Sequence, residues 1–205
     1  MSDPFYKWLA PDRTTPVRGY RWPVRARQWT PRQTPVRCQS GWHLAPPGGI
    51  TPNVPWTLPA VLWTAEGRGA TDAAPDKVVF ESARILAPIG TLTEPMAHSL
   101  ACDFAEHVLP LWEAKHPNDH GPRVAIEARR RAMTGDGSAG ELYAAAAGAA
   151  RAYAAHYASD DPSAICAAYA AYGAAGAAIS TYAYAATNLA EREWQGRRIL
   201  EVLNA

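Results

Sequence analysis

Cys38 and His43, five residues apart, are the one pair in the N-terminal half of this chain whose side-chain types suggest reactive chemistry. A thiol beside an imidazole can serve as nucleophile and base, because a neighbouring imidazolium lowers the thiol pKa. In a single extended strand, residues five apart point to opposite faces, so the two meet only if the chain bends at Ser40-Gly41. No oxyanion-stabilising or orienting motif accompanies them. The residues therefore favour a structural reading, with Cys38 a small buried thiol on one side of the bend and His43 bonded to nearby backbone on the other. Nucleophilic catalysis and metal binding are the alternatives.

A second set is basic and aromatic. Arg18, Arg21, Arg25, Arg27, Arg32 and Arg37 interleave with Tyr20, Trp22 and Trp29. Arginine and aromatic rings together can bind phosphates and stack on bases. The plainer reading is a solvated, proline-spaced edge. Arg18, Arg21, Trp22 and Trp42 are the binding positions expected here.

In the C-terminal half, His116 and His120 have the spacing of a metal pair on a helix, but Pro117 and Gly121 make this stretch a loop, where that spacing means little. His98 and Cys102 share a helix face and read as core. Arg123, Glu127 and Arg131 recur every fourth residue and form surface pairs worth about 0.3–0.5 kcal/mol each. No cofactor motif is recognisable.

The elements that must position these residues change character along the chain. Aromatic runs at 5–8 and 20–22 read as strands, and residues 37–44 as a strand interrupted at Ser40-Gly41. Residues 60–67 form the clearest strand, ending at Gly67 and Gly69. Residues 77–81 follow after a turn at 72–76, and 83–86 close the sheet. Residues 46–59 read as a Pro/Gly-rich surface loop. Thr93-Glu94-Pro95 starts a helix with Thr93 as N-cap, continued by Met96, Leu100, Phe104, Val108 and Leu111. Pro122 opens a second helix, which Gly135 ends. Ser138 and Glu141 form a capping box for a third that runs to about residue 158. Asp161-Pro162 begins a fourth, and a last spans about 191–203.

The composition agrees. Residues 1–69 carry nine basic and three acidic side chains, and the remaining 11 basic and 16 acidic ones bring the chain to +1. A net charge this small excludes a strong overall field toward nucleic acid or membrane. Residues 141–190 contain 23 Ala, the best helix former. Residues 162–190 carry no charge, but their Ala, Gly and Tyr are too weakly hydrophobic for insertion in a membrane. The segment reads as a buried helix whose closest approach lies at Gly173 and Gly176. Three scattered cysteines and the absence of a leader pattern point to a reducing, cytoplasmic setting. The expected fold is α+β: a β-rich module at 1–90, then an Ala-rich bundle of about five helices at 91–205.

Two resemblances follow from the order of motifs. Tyr6-Lys7, Arg18-Gly19-Tyr20-Arg21-Trp22-Pro23-Val24, Cys38-Gln39-Ser40-Gly41-Trp42-His43, the strand from Val61 to Gly67 and Lys77-Val78-Val79 together resemble a small phage and bacterial domain of unknown function. Its hallmark is Cys-x-Ser-Gly-aromatic-His. Relatives place a second Cys soon after the His; here Ala45-Pro46 stands there instead. In the other half the order begins with Ala101 to Glu106 and Leu109-Pro110-Leu111-Trp112-Glu113. It continues through Gly121 to Ala128, Gly135, the Ala string ending at Arg151, and Glu193-Trp194-Gln195. This order resembles the helical immunity-protein domain encoded beside bacterial polymorphic toxins. The resemblance implies a non-enzymatic protein that occludes a protein partner (a toxin, host or defence factor), with Arg123 and Glu127 as anchors or network members and Trp194 as a binding position. The phage association of the first module implies a phage or prophage gene. An enzyme acting on a nucleotide or phosphate through Cys38 and His43, and a virion component, are the alternatives.

Overall fold

The computed structural model describes residues 4–16, 19–23, 27–50, 57–156 and 189–205. The fold is α+β, an antiparallel four-stranded sheet followed by helices. The strands are β1 (Phe5–Leu9), β2 (Trp42–Leu44), β3 (Ala60–Ala74) and β4 (Lys77–Leu92), in the order β1-β3-β4-β2. The two edges of the sheet touch at one point: Tyr6 of β1 and Ala45, just past β2, exchange both backbone hydrogen bonds at 2.8 Å in an isolated bridge.

The long β3–β4 hairpin departs from the sequence expectation. Gly67 and Gly69 do not end β3. Gly69 (φ 85°) sits in a bulge where the register shifts between Arg68 and Thr71, and the strand continues to Ala74. Residues 77–81 and 83–86 belong to one strand, β4. Gly67 lies under the ring of Phe80, where a Cβ would collide. Residues 20–22, expected as a strand, form only an isolated bridge from Arg21 to Thr14.

β1 is buried on both faces, Tyr6 and Trp8 on one and Leu9 on the other. Trp8 and Leu9 are buried, and the Trp8 indole donates to the Ile50 carbonyl at 3.0 Å. Leu9, Trp22, Trp42, Leu44, Ala65, Phe80, Ala83 and Ile85 form a core cluster. Its rings meet edge to face, Trp22 on Trp42 at 5.4 Å and Tyr20 on Trp42 at 4.7 Å, a geometry that adds to plain area burial.

The helices are α1 (Glu94–Lys115), α2 (Gly121–Thr134), α3 (Ala139–His156) and α4 (Leu189–Asn204). The starts of α2 and α3 follow their sequence signals. Pro122 occupies the first turn of α2, and Gly135 closes it in the left-handed conformation at φ 85°. The α3 capping box is formed: Ser138 Oγ accepts the Glu141 amide at 3.1 Å, and Glu141 Oε2 accepts the Ser138 amide at 2.9 Å. The expected fourth helix, with Gly173 and Gly176, lies outside the described residues.

The chain forms two compact units, residues 94–188 and the rest. The last helix, grouped by its sequence with the Ala-rich helices, therefore sits in the same unit as the sheet. Ile199 and Leu203 of α4 are buried, and Gly90 on β4 approaches the Leu203 carbonyl so closely that a Cβ would lie 2.6 Å from it. Gly196 likewise lies against the Pro47 carbonyl in the 3-10 turn Pro47–Gly49. Gly90→Ala and Gly196→Ala should each cost about 1–3 kcal/mol through overpacking. Denaturant unfolding that left both variants at parental stability would show that α4 is not seated there.

Candidate functional site

The Cys-x-Ser-Gly-aromatic-His stretch is a turn leading into β2. Val36 and Ser40 exchange backbone hydrogen bonds at 3.1 and 3.0 Å. Each motif residue has a structural task. Ser40 Oγ donates to the Thr34 carbonyl at 2.5 Å. Gly41 adopts φ 86°, and a Cβ there would stand 2.7 Å from Val79 Cγ1 and 2.9 Å from Pro35 Cα, so both conformation and space demand glycine. The Trp42 indole donates to the Pro31 carbonyl at 2.8 Å while its ring packs on Tyr20 and Trp22. His43 Nε2 accepts the Cys38 backbone amide at 3.1 Å.

The bend at Ser40-Gly41 thus brings residues 38 and 43 together, but through the Cys38 amide. The imidazole lone pair that a base would use is already engaged. Cys38 itself is exposed and strained at φ 60°. It is not the buried thiol expected from the sequence: the turn carries it outward, away from the core that receives Trp42.

Lys7 is the residue that sequence reasoning overlooked. Alternation places it on the same face of β1 as Phe5 and Leu9, which pack in the core, so a charged side chain on an apolar face was the available signal. Its Nζ donates to the His43 carbonyl at 3.0 Å and lies 5.8 Å from the centre of the Trp22 ring. Burial lowers its pKa to about 8. The Trp22 indole N–H is buried and lacks a hydrogen-bond partner. Among the expected binding positions, Trp22 and Trp42 are buried core. Arg21 is exposed, with Nε donating to the Asp12 carbonyl at 3.2 Å, and Arg18 lies outside the described residues.

In the helical unit, α1 and α2 are stapled by ion pairs. Arg130 spans Asp103 and Glu106 at 2.8 and 2.7 Å. Arg123 grips Glu113 with two parallel bonds of 2.6 and 2.7 Å. Glu106 and Glu113 are seven residues apart, as are Arg123 and Arg130, so the staples recur every two turns of an antiparallel pair. The expected partner of Arg123 was Glu127 on its own helix. The bidentate bond runs instead to Glu113, and the exposed Glu127 only adds to the field that raises the Arg123 pKa. The same bond holds the Glu113 carboxyl below its usual pKa. Trp112 is fully buried, and its indole donates to the Asp119 carbonyl at 3.1 Å. His116 stacks on that indole at 4.2 Å, and no group of three metal-ligating side chains forms among the described residues.

His98 and Cys102 lie on one face of α1, as expected. Cys102 is fully buried, which pushes its thiol up to about 11. The His98 Nε2 is buried without a hydrogen-bond partner. Burial lowers its pKa, the Arg129 guanidinium lowers it further, and Glu94 opposes them. On α4, Trp194 is half-buried, whereas Gln195 is fully buried with its side-chain oxygen unpartnered.

In the helical part, α1 and α2 are thus stapled by ion pairs over a buried apolar interior. Comparison with known families places this part: residues 98–201, 104 of 205, match the family described as "Imm-5 like putative immunity protein". The chain belongs to that family. No curated protein and no solved structure matches it. Among the described residues, no helix is long and apolar enough to cross a membrane.

Two measurements follow from this geometry. Gly41→Ala should destabilise more than His43→Ala, since the Cys38 amide freed in the latter is at the surface and regains water, a loss of about 0.5–1.5 kcal/mol. Cys38→Ser should be near neutral. A Gly41→Ala variant as stable as the parent would remove the steric explanation of the motif. The His98 shift sets a pH dependence. Its folded pKa lies below the ordinary 6.5, so between those values the unfolded chain binds more protons and stability falls as pH drops. The denaturation midpoint should decline from about pH 7.5 to about pH 5.5, and by less in His98→Gln; equal declines would exonerate His98.

Proposed function

We propose that this protein is an immunity-type inhibitor that works without catalysis, binding and occluding a protein target through its helical part. The family match over residues 98–201 carries this reading. The partner class is a toxin or a host or defence factor, the setting is cytoplasmic, and the gene is of phage or prophage origin. The exposed large apolar side chains support a partner on the helices: Leu111, Val124, Met133 and Tyr143 all belong to α1–α3, while Val36 is the sole example in the sheet unit among the described residues. The β-rich N-terminal part with α4 and the segment that carries α1–α3 act as two domains, with the Cys38–His43 motif holding the first in shape. The enzymatic alternative loses support because His43 Nε2 already accepts the Cys38 amide.

The test is capture and neutralisation. A tagged chain expressed in its host and treated with nuclease should retain one stoichiometric protein that is toxic when expressed alone and harmless beside the chain. Leu111→Glu or Val124→Glu should weaken that protection while the fold persists. Absence of a stoichiometric protein, or a toxicity unaffected by the chain, would refute the inhibitor reading.

A further inference from the structure

Residues 27–33 run as a strap along β4, fastened at every third residue: the amides of Arg27, Thr30 and Gln33 donate to the carbonyls of Ile85, Ala83 and Glu81 at 2.8, 2.9 and 2.9 Å. Thr30 and Ser82, both buried, lock its middle, with Ser82 Oγ donating to the Thr30 carbonyl at 2.8 Å. The strap presents Trp29, and two guanidiniums lie over that one indole, Arg68 at 4.0 Å and Arg84 at 4.6 Å from its centre.

The charges around it do not cancel. Glu66 is taken by Arg84 at 2.5 Å, Asp72 by Arg37 at 2.8 Å and Glu81 by Arg32 at 3.6 Å. Arg27 and Arg68 are exposed and have no carboxylate within ion-pair distance among the described residues. Arg27 is also strained at φ 72°, held by its own amide bond and by the Arg84 Nη1 that donates to its carbonyl at 3.3 Å. The indole orients Arg68, so less side-chain freedom is lost when it binds an anion, and the strap fixes the backbone from which Arg27 projects.

We infer that the Arg27–Trp29–Arg68 face is a phosphate-binding surface that takes nucleic acid through its backbone, without sequence preference. A guanidinium fork matches phosphate geometry. The Trp29 ring already carries two guanidiniums and is occupied, so the contact is electrostatic and not base stacking. A protein partner is a poorer fit, because a protein interface needs an apolar centre, and among the described residues Val36 is the one large apolar side chain exposed in the sheet unit.

Fluorescence anisotropy of a labelled oligothymidylate against the full chain tests this. Binding should weaken log-linearly with salt, and Arg68→Gln or Arg27→Gln should each reduce the slope by about 0.7. At position 68 glutamine keeps part of the stem over the indole, and a parental circular dichroism spectrum certifies the fold of both variants. Arg198→Gln, an equal charge loss on α4, should leave the slope unchanged. No binding at low salt, an equal effect of Arg198→Gln, or competition by polyglutamate as strong as by unlabelled oligothymidylate would each overturn the assignment.

Discussion

The close seat of α4 against the sheet unit is the contact on which the chain's organisation rests. β4 ends at Leu92 and α1 begins at Glu94, so a single residue separates sheet from helix. The chain then returns to the sheet unit at residue 189. Two glycines make the return possible, Gly90 under the Leu203 carbonyl and Gly196 against Pro47, since any Cβ would push the backbones apart. Buried Ile199 and Leu203 supply the apolar surface, about 1.5–3 kcal/mol for each such side chain. The unpartnered Gln195 oxygen opposes this, since a buried acceptor without a hydrogen bond costs about 1–3 kcal/mol. The family match spans residues 98–201, so the helix that completes the family's segment also completes the unit that holds the sheet.

Within the helical unit, the same balance of apolar core and polar fastening appears at the α1–α2 pair. Ala101, Ala105, Ala125 and Ala128 are buried, and small side chains allow close helix axes but bury little area each. Ion pairs at two-turn intervals then fix register. Single exposed pairs contribute little, but Arg130 holds two carboxylates and Arg123 binds in bidentate form, which adds directional restraint to modest energy.

Much of this was legible in the sequence wherever the signal is local. Thr93-Glu94-Pro95, the Ser138–Glu141 box and Gly135 mark helix ends because capping uses neighbours within one turn. What escaped depends on distant partners. Gly67 and Gly69 read as a stop, yet one makes room for Phe80 and the other forms a bulge, since a glycine's role is set by what lies opposite. Residues 27–33 bond to β4 at every third position, a rhythm that alternation does not reveal. Arg123 appeared to pair with Glu127 because periodicity sees one helix at a time, whereas Glu113 lies across the hairpin. In the Cys-x-Ser-Gly-aromatic-His stretch the bend was foreseen, but not that it would expose Cys38 and use His43 as an acceptor for backbone.

The chain thus enters the sheet unit twice, and α4 is its second contribution. Hydrogen exchange on the full chain and on a chain ending at Asn188 tests this most directly. If α4 completes the sheet unit, truncation will strip protection from amides at Gly49–Ile50 and Gly90–Leu92 while the α1–α2 amides keep theirs. Unchanged protection at those sheet-unit amides would contradict it.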